Sequence, residues 1–268
     1  MIRPPAVAGR FYPADPRELT RQVDEFSGAA GAKLRAIACV VPHAGYMYSG
    51  HVAGAVYAAL EIPARCILLG PRHYPQGQPL AILSEGNFET PLGEVRIDAP
   101  LAASLARACP VLREDEVAHA REHSLEVQLP FLQRLAGDSL RIVPVVLATD
   151  RFGAMEELGR AVAQVVKEQS EPVLLIASSD MNHYESDEVT RVKDSHAIER
   201  MLALDPRGLY DTVRNEGITM CGYAATVATL VAARELGAKE AQLVRYATSG
   251  DVSNDRARVV GYAGVTVC

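Results

Sequence analysis

Four short apolar runs, each closed by a polar or glycine-rich cluster, constrain the fold of this 268-residue chain more than any other feature. Ile37–Val41 runs into Pro42-His43, and Cys66–Leu69 runs into Gly70-Pro71-Arg72-His73. Leu140–Leu147 precedes Thr149-Asp150, and Val173–Ala177 precedes Ser178-Ser179-Asp180. Apart from Arg141 the runs are apolar throughout and do not alternate, the pattern of strands covered on both faces. Helical patterns lie before, between and after them, over Arg17–Phe26, Ser49–Leu60, Leu101–Ala108, Leu125–Leu135, Ala154–Lys167, Asp187–Ala203 and Gly222–Glu235. Pro130 must start, kink or break the helix that contains it. Gln242–Tyr246 and Val259–Val267 read as strands again, and Leu80–Ile97, punctuated by Gly86, Asn87, Pro91 and Gly93, reads as a hairpin. The expected fold class is therefore α/β, with a mixed, mostly parallel sheet flanked by helices. No Pro/Gly/Ser linker divides the chain, so residues 1–268 are expected to form one domain.

Composition removes several function classes. Net charge is −6 and the basic residues do not cluster, whereas a nucleic-acid binder needs a basic stripe to meet phosphates. The apolar stretches fall far short of the ~18 residues that span a bilayer. The opening MIRPPAVAGRFYP lacks an apolar core with a small-residue cleavage site, so the expected location is cytoplasmic. Five widely spaced cysteines (Cys39, Cys66, Cys109, Cys221, Cys268) contain no CxxC pair, which argues against a disulfide framework and a cysteine-built structural zinc site.

The chemistry-bearing residues gather at the ends of the apolar runs. In open α/β sheets ligands bind at the carboxyl ends of strands, and His43, His73 and the Asp180–His183 pair all follow strand-like runs. Imidazoles at several strand ends suit a transition-metal site with open positions. No HExxH string occurs, and Glu122-His123-Ser124-Leu125-Glu126-Val127 lacks the second histidine of the inverted version, so the chain is not a zincin. Gly45-Tyr46-Met47-Tyr48-Ser49-Gly50 is followed by His51-Val52, where a phosphate loop needs Lys and Ser/Thr, so it reads as a turn with Ser49 capping the next helix. That leaves no nucleotide cofactor. There is no GxSxG elbow, and Ser178-Ser179 reads as polar residues ending a buried strand. Cys221 stands just before an Ala-rich helix, where the helix dipole favours its thiolate.

Taken together, Pro-His-Ala-Gly-Tyr-Met-Tyr-Ser-Gly at 42–50, Leu-Gly-Pro-Arg-His-Tyr at 69–74, Glu-His-Ser-Leu-Glu-Val-Gln-Leu-Pro-Phe at 122–131, Ser-Ser-Asp-Met-Asn-His-Tyr at 178–184 and Cys-Gly-Tyr at 221–223 resemble the Memo family. So does the opening Arg-Pro-Pro-Ala-Val-Ala-Gly-Arg-Phe-Tyr-Pro at 3–13, and the likeness runs nearly end to end. Bacterial and archaeal members are called AmmeMemoRadiSam system protein B. The resemblance implies the fold of class III extradiol ring-cleaving dioxygenases (LigB-like), whose non-haem iron is held by two His and one Glu. Carried over motif by motif, it implies His43 and His73 as metal ligands, with Cys221 where those enzymes have a carboxylate. His183 matches their acid–base histidine, Asp180 lies three residues before it, and His123 is expected to line the same pocket. A thiolate is softer than a carboxylate and tilts preference from Fe(II) towards Cu(I) or Zn.

Two functions compete at this point. One is metal-dependent oxidoreductase chemistry on an unknown small molecule, with Fe(II) or Cu(I), or else Zn, at His43, His73 and Cys221, His183 moving a proton, and Asp180 orienting that imidazole or a water. The other is a non-catalytic module that binds a peptide, phosphorylated in one version, in the same cleft, with Arg72 as an anion contact. The family's name also implies association with AMMECR-type and radical-SAM proteins, and neither nucleic acid nor membrane is an expected partner.

Overall fold

The computed structural model describes residues 2–28 and 32–268. Its strands are β1 (Ile2–Arg3), β2 (Ala38–Val41), β3 (Arg65–Pro71), β4 (Leu80–Ile82), β5 (Asn87–Thr90), β6 (Gly93–Ile97), β7 (Arg113–Glu114), β8 (Arg141–Leu147), β9 (Val173–Ser178), β10 (His183–Glu185), β11 (Ala241–Thr248) and β12 (Val259–Val267). Its helices are α1 (Pro16–Ser27), α2 (Tyr46–Ala58), α3 (Ala99–Ala108), α4 (Glu116–Ala120), α5 (Leu129–Ala136), α6 (Phe152–Lys167), α7 (Asp187–Leu202), α8 (Pro206–Asn215), α9 (Tyr223–Glu235) and α10 (Gly250–Ser253).

One sheet carries the strands in the order β1-β5-β6-β8-β3-β9-β2-β12-β10. The stretch β6-β8-β3-β9-β2 is parallel throughout, and β12 turns the sheet antiparallel by pairing with β2, β10 and β11. Every residue of β2 and β9 is buried, so helices must cover both faces, as the non-alternating runs imply. α2 lies against β2, β11 and β12 with α1 and α5 behind it; α9 lies against β3, β9 and β2 with α6 behind it. The α/β class and the mixed, mostly parallel sheet expected from sequence are what the structure has.

Local chemistry explains most element boundaries. Asp15 accepts the amides of Arg17 and Glu18 at 3.0 and 2.9 Å to cap α1, with Pro16 opening the helix. Pro130 starts a helix: a 3-10 turn at Glu126–Gln128 passes into α5 with Pro130 in its first turn. Two expectations need correction. Ser49 does not cap α2, which begins at Tyr46; the Ser49 hydroxyl sits inside the helix and donates back to the Ala44 carbonyl at 3.0 Å. The hairpin over 80–97 is confined to β5 and β6, while β4 pairs antiparallel with β8. All three residues of β4 are buried, which a solvent-facing hairpin arm would not allow.

The N-terminal strap is held by one buried carboxylate. Glu126 pairs with Arg3, accepts the amides of Ala6 and Val7 at 2.7 and 3.0 Å, and accepts the Tyr12 hydroxyl at 2.6 Å. This fixes residues 3–12 against the 122–128 segment. On the opposite side, Asp194 of α7 is buried and accepts the Asn182 amide at 2.9 Å and the Tyr246 hydroxyl at 2.7 Å.

Burial pushes the Asp194 carboxyl up to about 7, despite its hydrogen bonds. The folded chain therefore holds that proton more tightly than the unfolded chain, whose aspartates titrate near ~3.9. Its contribution to stability is complete below pH ~4 and is lost as pH rises through about 7. Asp194→Asn is expected to be more stable than wild type at pH 8, by on the order of 2 kcal/mol, with the gap closing towards pH 4. Urea denaturation across that range measures it; a gap that does not vary with pH would refute the assignment.

Candidate metal centre

Three neighbouring parallel strands, β3, β9 and β2, end side by side, and the site is built on their carboxyl ends. His43 follows β2, His73 follows β3, and Asp180 follows β9. Cys221 arrives from elsewhere, one residue before Gly222 and α9. A Cβ on Gly222 would stand 2.3 Å from the Ser178 carbonyl oxygen and 2.6 Å from the Ser179 Cβ. Only glycine lets the start of α9 press against the end of β9, and the Gly222 amide donates to Ser179 Oγ at 3.0 Å. That contact delivers the thiol to the strand ends.

The structure brings His43, His73 and Cys221 together, with one ligand atom from each within 4.8 Å of the others. Sγ of Cys221 lies 3.3 Å from Nε2 of His43. Donors of a tetrahedral ion bound at ~2.0–2.3 Å stand roughly 3.3–3.8 Å apart, so this set fits one ion after small adjustment. Asp180 and His183 form a second grouping with Cys221, and Glu122 and His123 a third with His73. Ring centroids of His73 and His123 are 4.5 Å apart and stacked; those of His43 and His73 are 5.2 Å apart. All six sequence-derived site residues line a single cavity of about 940 Å³.

Their surroundings differ. His43 is buried, and burial lowers its pKa well below the usual histidine value, helped by the neighbouring imidazoles. His73 donates Nδ1–H to Oε1 of Glu122 at 2.8 Å, and its amide donates to Oε2 at 2.6 Å. Burial alone would lower the His73 pKa, but the Glu122 carboxylate outweighs it and raises it. The same contacts overcome the burial of Glu122 and hold its carboxyl down at about 2. Burial brings His123 down to about 4, so it is neutral at pH 7.

Oδ1 of Asp180 accepts the amides of His43 and Ala44 at 2.8 and 3.2 Å. It makes no hydrogen bond to the ring of His183, so of the two roles expected of Asp180, on that imidazole or on a water, the first is not seen. Nδ1 of His183 is buried with no hydrogen-bond partner. The His183 amide donates to Thr219 Oγ1 at 2.7 Å, and the Thr219 amide donates to Oδ1 of Asn182 at 3.1 Å, which ties the His183 segment to the one that carries Cys221.

Two more expectations fail. The Cys221 thiol is not acidified: burial raises its pKa far above the free-thiol value, and the Asp180 carboxylate adds to the rise. The helix dipole is too weak to offset removal of the thiolate from water. Arg72 does not line the cavity; its guanidinium donates to the carbonyls of Gln76 and Gly77 in its own loop. The cations at the cavity are Arg10 and Arg258, both exposed, with Arg258 lying 5.6 Å over the ring of Tyr184. Phe11, Tyr48 and Tyr262 supply aromatic walls. Sequence reasoning missed Glu122 although it adjoins His123 in a quoted motif; a metal-binding histidine usually hands its second nitrogen to a carboxylate or carbonyl, and that rule was the available signal.

The comparisons with known proteins show the family and the fold. The family model described as "Memo-like protein" matches residues 3–266. The chain belongs to the Memo-like family. A MEMO1 family protein of Methanopyrus kandleri is 42% identical over 278 residues, covering 99% of this chain and 98% of its own. A MEMO1 family protein of Aquifex aeolicus is 42% identical over 265 residues, covering 98% of each chain. Among solved structures, an uncharacterized protein of Escherichia coli K12 shares the fold at 13% identity and a TM-score of 0.50, covering 85% of this chain and 99% of that one. No helix among the described residues is long and apolar enough to cross a membrane.

In the metal-free protein Cys221 is expected to be a protonated thiol at pH 8. Iodoacetamide should therefore alkylate it at least about tenfold more slowly than a cysteine in a short peptide. A rate equal to or above the peptide's, read by mass spectrometry of the Cys221 fragment, would restore the thiolate reading.

Proposed function

We propose that this member of the Memo-like family is a metal-dependent oxidoreductase whose His43, His73 and Cys221 hold one Fe(II) or Cu(I) ion, with Zn as the third candidate. The convergence of two imidazoles and a thiol within 4.8 Å at the ends of adjacent strands is the observation that carries this reading. Two nitrogens and a sulfur favour soft or borderline ions, and Cu(I) is the best chemical match. Such an ion supplies Lewis acidity, redox capacity for iron or copper, and open positions for a substrate.

The remaining residues have roles that follow from where they stand. The carboxylate of Glu122 fixes the His73 ring with Nδ1 protonated, which leaves Nε2 as its donor atom. His183 lines the cavity, and its imidazole holds or accepts a proton of a bound substrate. Phe11, Tyr48 and Tyr262 shield the inner cavity from water and suit a flat, partly apolar molecule. Arg10 and Arg258 favour an anionic group at the entrance. A non-catalytic peptide-binding module is the second reading: the cavity is large enough for one side chain of a peptide and has cations at its mouth. Association with AMMECR-type or radical-SAM proteins belongs to that same level of proposal.

The test is metal analysis after chelation and anaerobic reconstitution with Fe(II), Cu(I) and Zn(II) in turn. Wild type is expected to retain close to one ion per chain, and His43→Ala and Cys221→Ser to lose at least about tenfold in affinity. Equal, near-zero occupancy in all three proteins would sink the reading. Oxygen uptake by the loaded wild type, set against peptide binding that survives chelation, separates the oxidoreductase from the binding module.

A further inference from the structure

Every proton around His43 can be placed from two carbonyl oxygens that can only accept. Gln128 is buried between Tyr57, Pro42 and Ser178. Its amide group lies 2.9 Å from the Pro42 carbonyl, so the nitrogen must face that oxygen and the opposite assignment would set two acceptors together. Oε1 of Gln128 then accepts the Tyr57 hydroxyl at 2.8 Å, and the second Nε2–H is donated to Ser178 Oγ at 2.9 Å. Ser178 has one proton of its own. It lies 2.7 Å from the Ser124 carbonyl, the second oxygen that can only accept, and is donated there. Nothing is left for Ser178 to donate to His43, whose Nδ1 is 2.8 Å away. That contact must run the other way, from Nδ1–H to Ser178 Oγ.

We infer that Ser178 is a positioning residue that locks His43 as the Nδ1-protonated tautomer, so that Nε2 presents its lone pair to the cavity. Gln128, Tyr57 and the carbonyls of Pro42 and Ser124 hold Ser178 in that role. The opposite tautomer would leave either Nδ1 or the Ser124 carbonyl without a proton inside the protein, at a cost of about 1–3 kcal/mol. The Cys221 contact agrees: Sγ accepts the Asp180 amide at 3.3 Å, and its own proton is better placed towards Nε2 of His43 at 3.3 Å than towards the Asp180 carbonyl at 3.7 Å. His43 and His73 thus expose the same nitrogen through unlike devices, a neutral hydroxyl relay for one and a carboxylate for the other. The inference rests on the metal-centre reading for its purpose, while its first test needs no metal.

That test is long-range ¹H–¹⁵N correlation of the histidine rings in metal-free wild type, with His43 assigned by its loss in His43→Gln. Nδ1 is expected to be pyrrole-type and Nε2 pyridine-type. The reverse pattern overturns the inference even if the protein binds metal well, and failure of wild type to bind metal leaves this result standing. Ser178→Ala removes the acceptor and is expected to give mixed tautomers at His43 and a 10–100-fold loss of Zn(II) affinity, with the His73 signals unchanged. A folded Ser178→Ala protein with the wild-type tautomer and affinity would also overturn it. Should that variant fail to fold, the wild-type spectrum decides alone.

Discussion

Strands that end side by side inside a protein leave amides and carbonyls with no ladder to join, and satisfying those groups is the constraint on which the site depends. At the ends of β2, β3 and β9 the answer is a set of short polar residues. The Ser179 amide donates to the Val41 carbonyl at 2.9 Å, and Asp180 takes the amides of His43 and Ala44. Ser124 Oγ donates to the Pro71 carbonyl at 3.0 Å, which joins the end of β3 to the segment carrying Glu122 and His123. A Cβ on Gly70 would meet Ser124 Oγ and Leu125 at 2.7 Å, so this junction also needs a glycine. The groups that terminate the strands are the same groups that aim the imidazoles. Removing one therefore costs stability and geometry together.

The two histidines meet one requirement by different routes, and the difference has chemical consequences. His73 is backed by a carboxylate held ionised by its partners, so its ring is the more electron-rich donor. His43 is backed by a neutral relay in a fully buried setting, which keeps its ring uncharged. With Cys221 as the third group, the set is poorer in hard oxygen ligands than two histidines and a carboxylate would be. On the proposed reading, such a set would favour a softer ion than a carboxylate-containing set on the same kind of scaffold.

Much of the fold could be read from the sequence because its strongest signal is physical. Ile37–Val41, Cys66–Leu69, Leu140–Leu147 apart from Arg141, and Val173–Ala177 are apolar at consecutive positions, the pattern of a short strand covered on both faces. The helix at Pro206–Asn215 was missed although Asp205 and Pro206 announce its start; its apolar positions are too few to stand out from the polar stretch around them. The grouping of residues 43, 73, 180 and 183 was legible because strand ends share one edge of the sheet, whereas Cys221, which precedes a helix, joined it only through the family resemblance. Ser178 and Gln128 were not legible, since a serine that ends a buried strand looks the same whether or not an imidazole leans on it. Arg72 and Cys221 show a different limit. Arg72 sits beside a site histidine in sequence, yet its loop turns its charge back on itself. The environment of Cys221 is set by burial among distant residues, which outweighs the helix end that the sequence displays.

The inner and outer parts of the cavity are built on different terms. Its floor rests on buried groups, His43, Glu122, Gln128, Ser178 and Asp180, whose hydrogen bonds are made inside the protein, so their positions have little freedom. Its rim comes from the N-terminal strap, the irregular strand β10 at Tyr184 and the loop that joins β11 to β12. Tyr184 holds a left-handed backbone at φ 63°, a conformation a tyrosine rarely adopts, and so leaves most of its ring in solvent at the mouth. The β11–β12 loop is anchored by Asp187, which accepts from Arg191, Arg256 and Thr248, and by Asp251, which accepts from Arg191 and the Thr248 amide. Ion pairs of this exposure contribute little one by one, but as a network they hold the loop's position. A floor fixed by hydrogen bonding inside a core changes only at a large energetic cost. A rim carried on a strap and a charged loop can vary at little cost, and it is there that Arg10 and Arg258 stand exposed at the cavity.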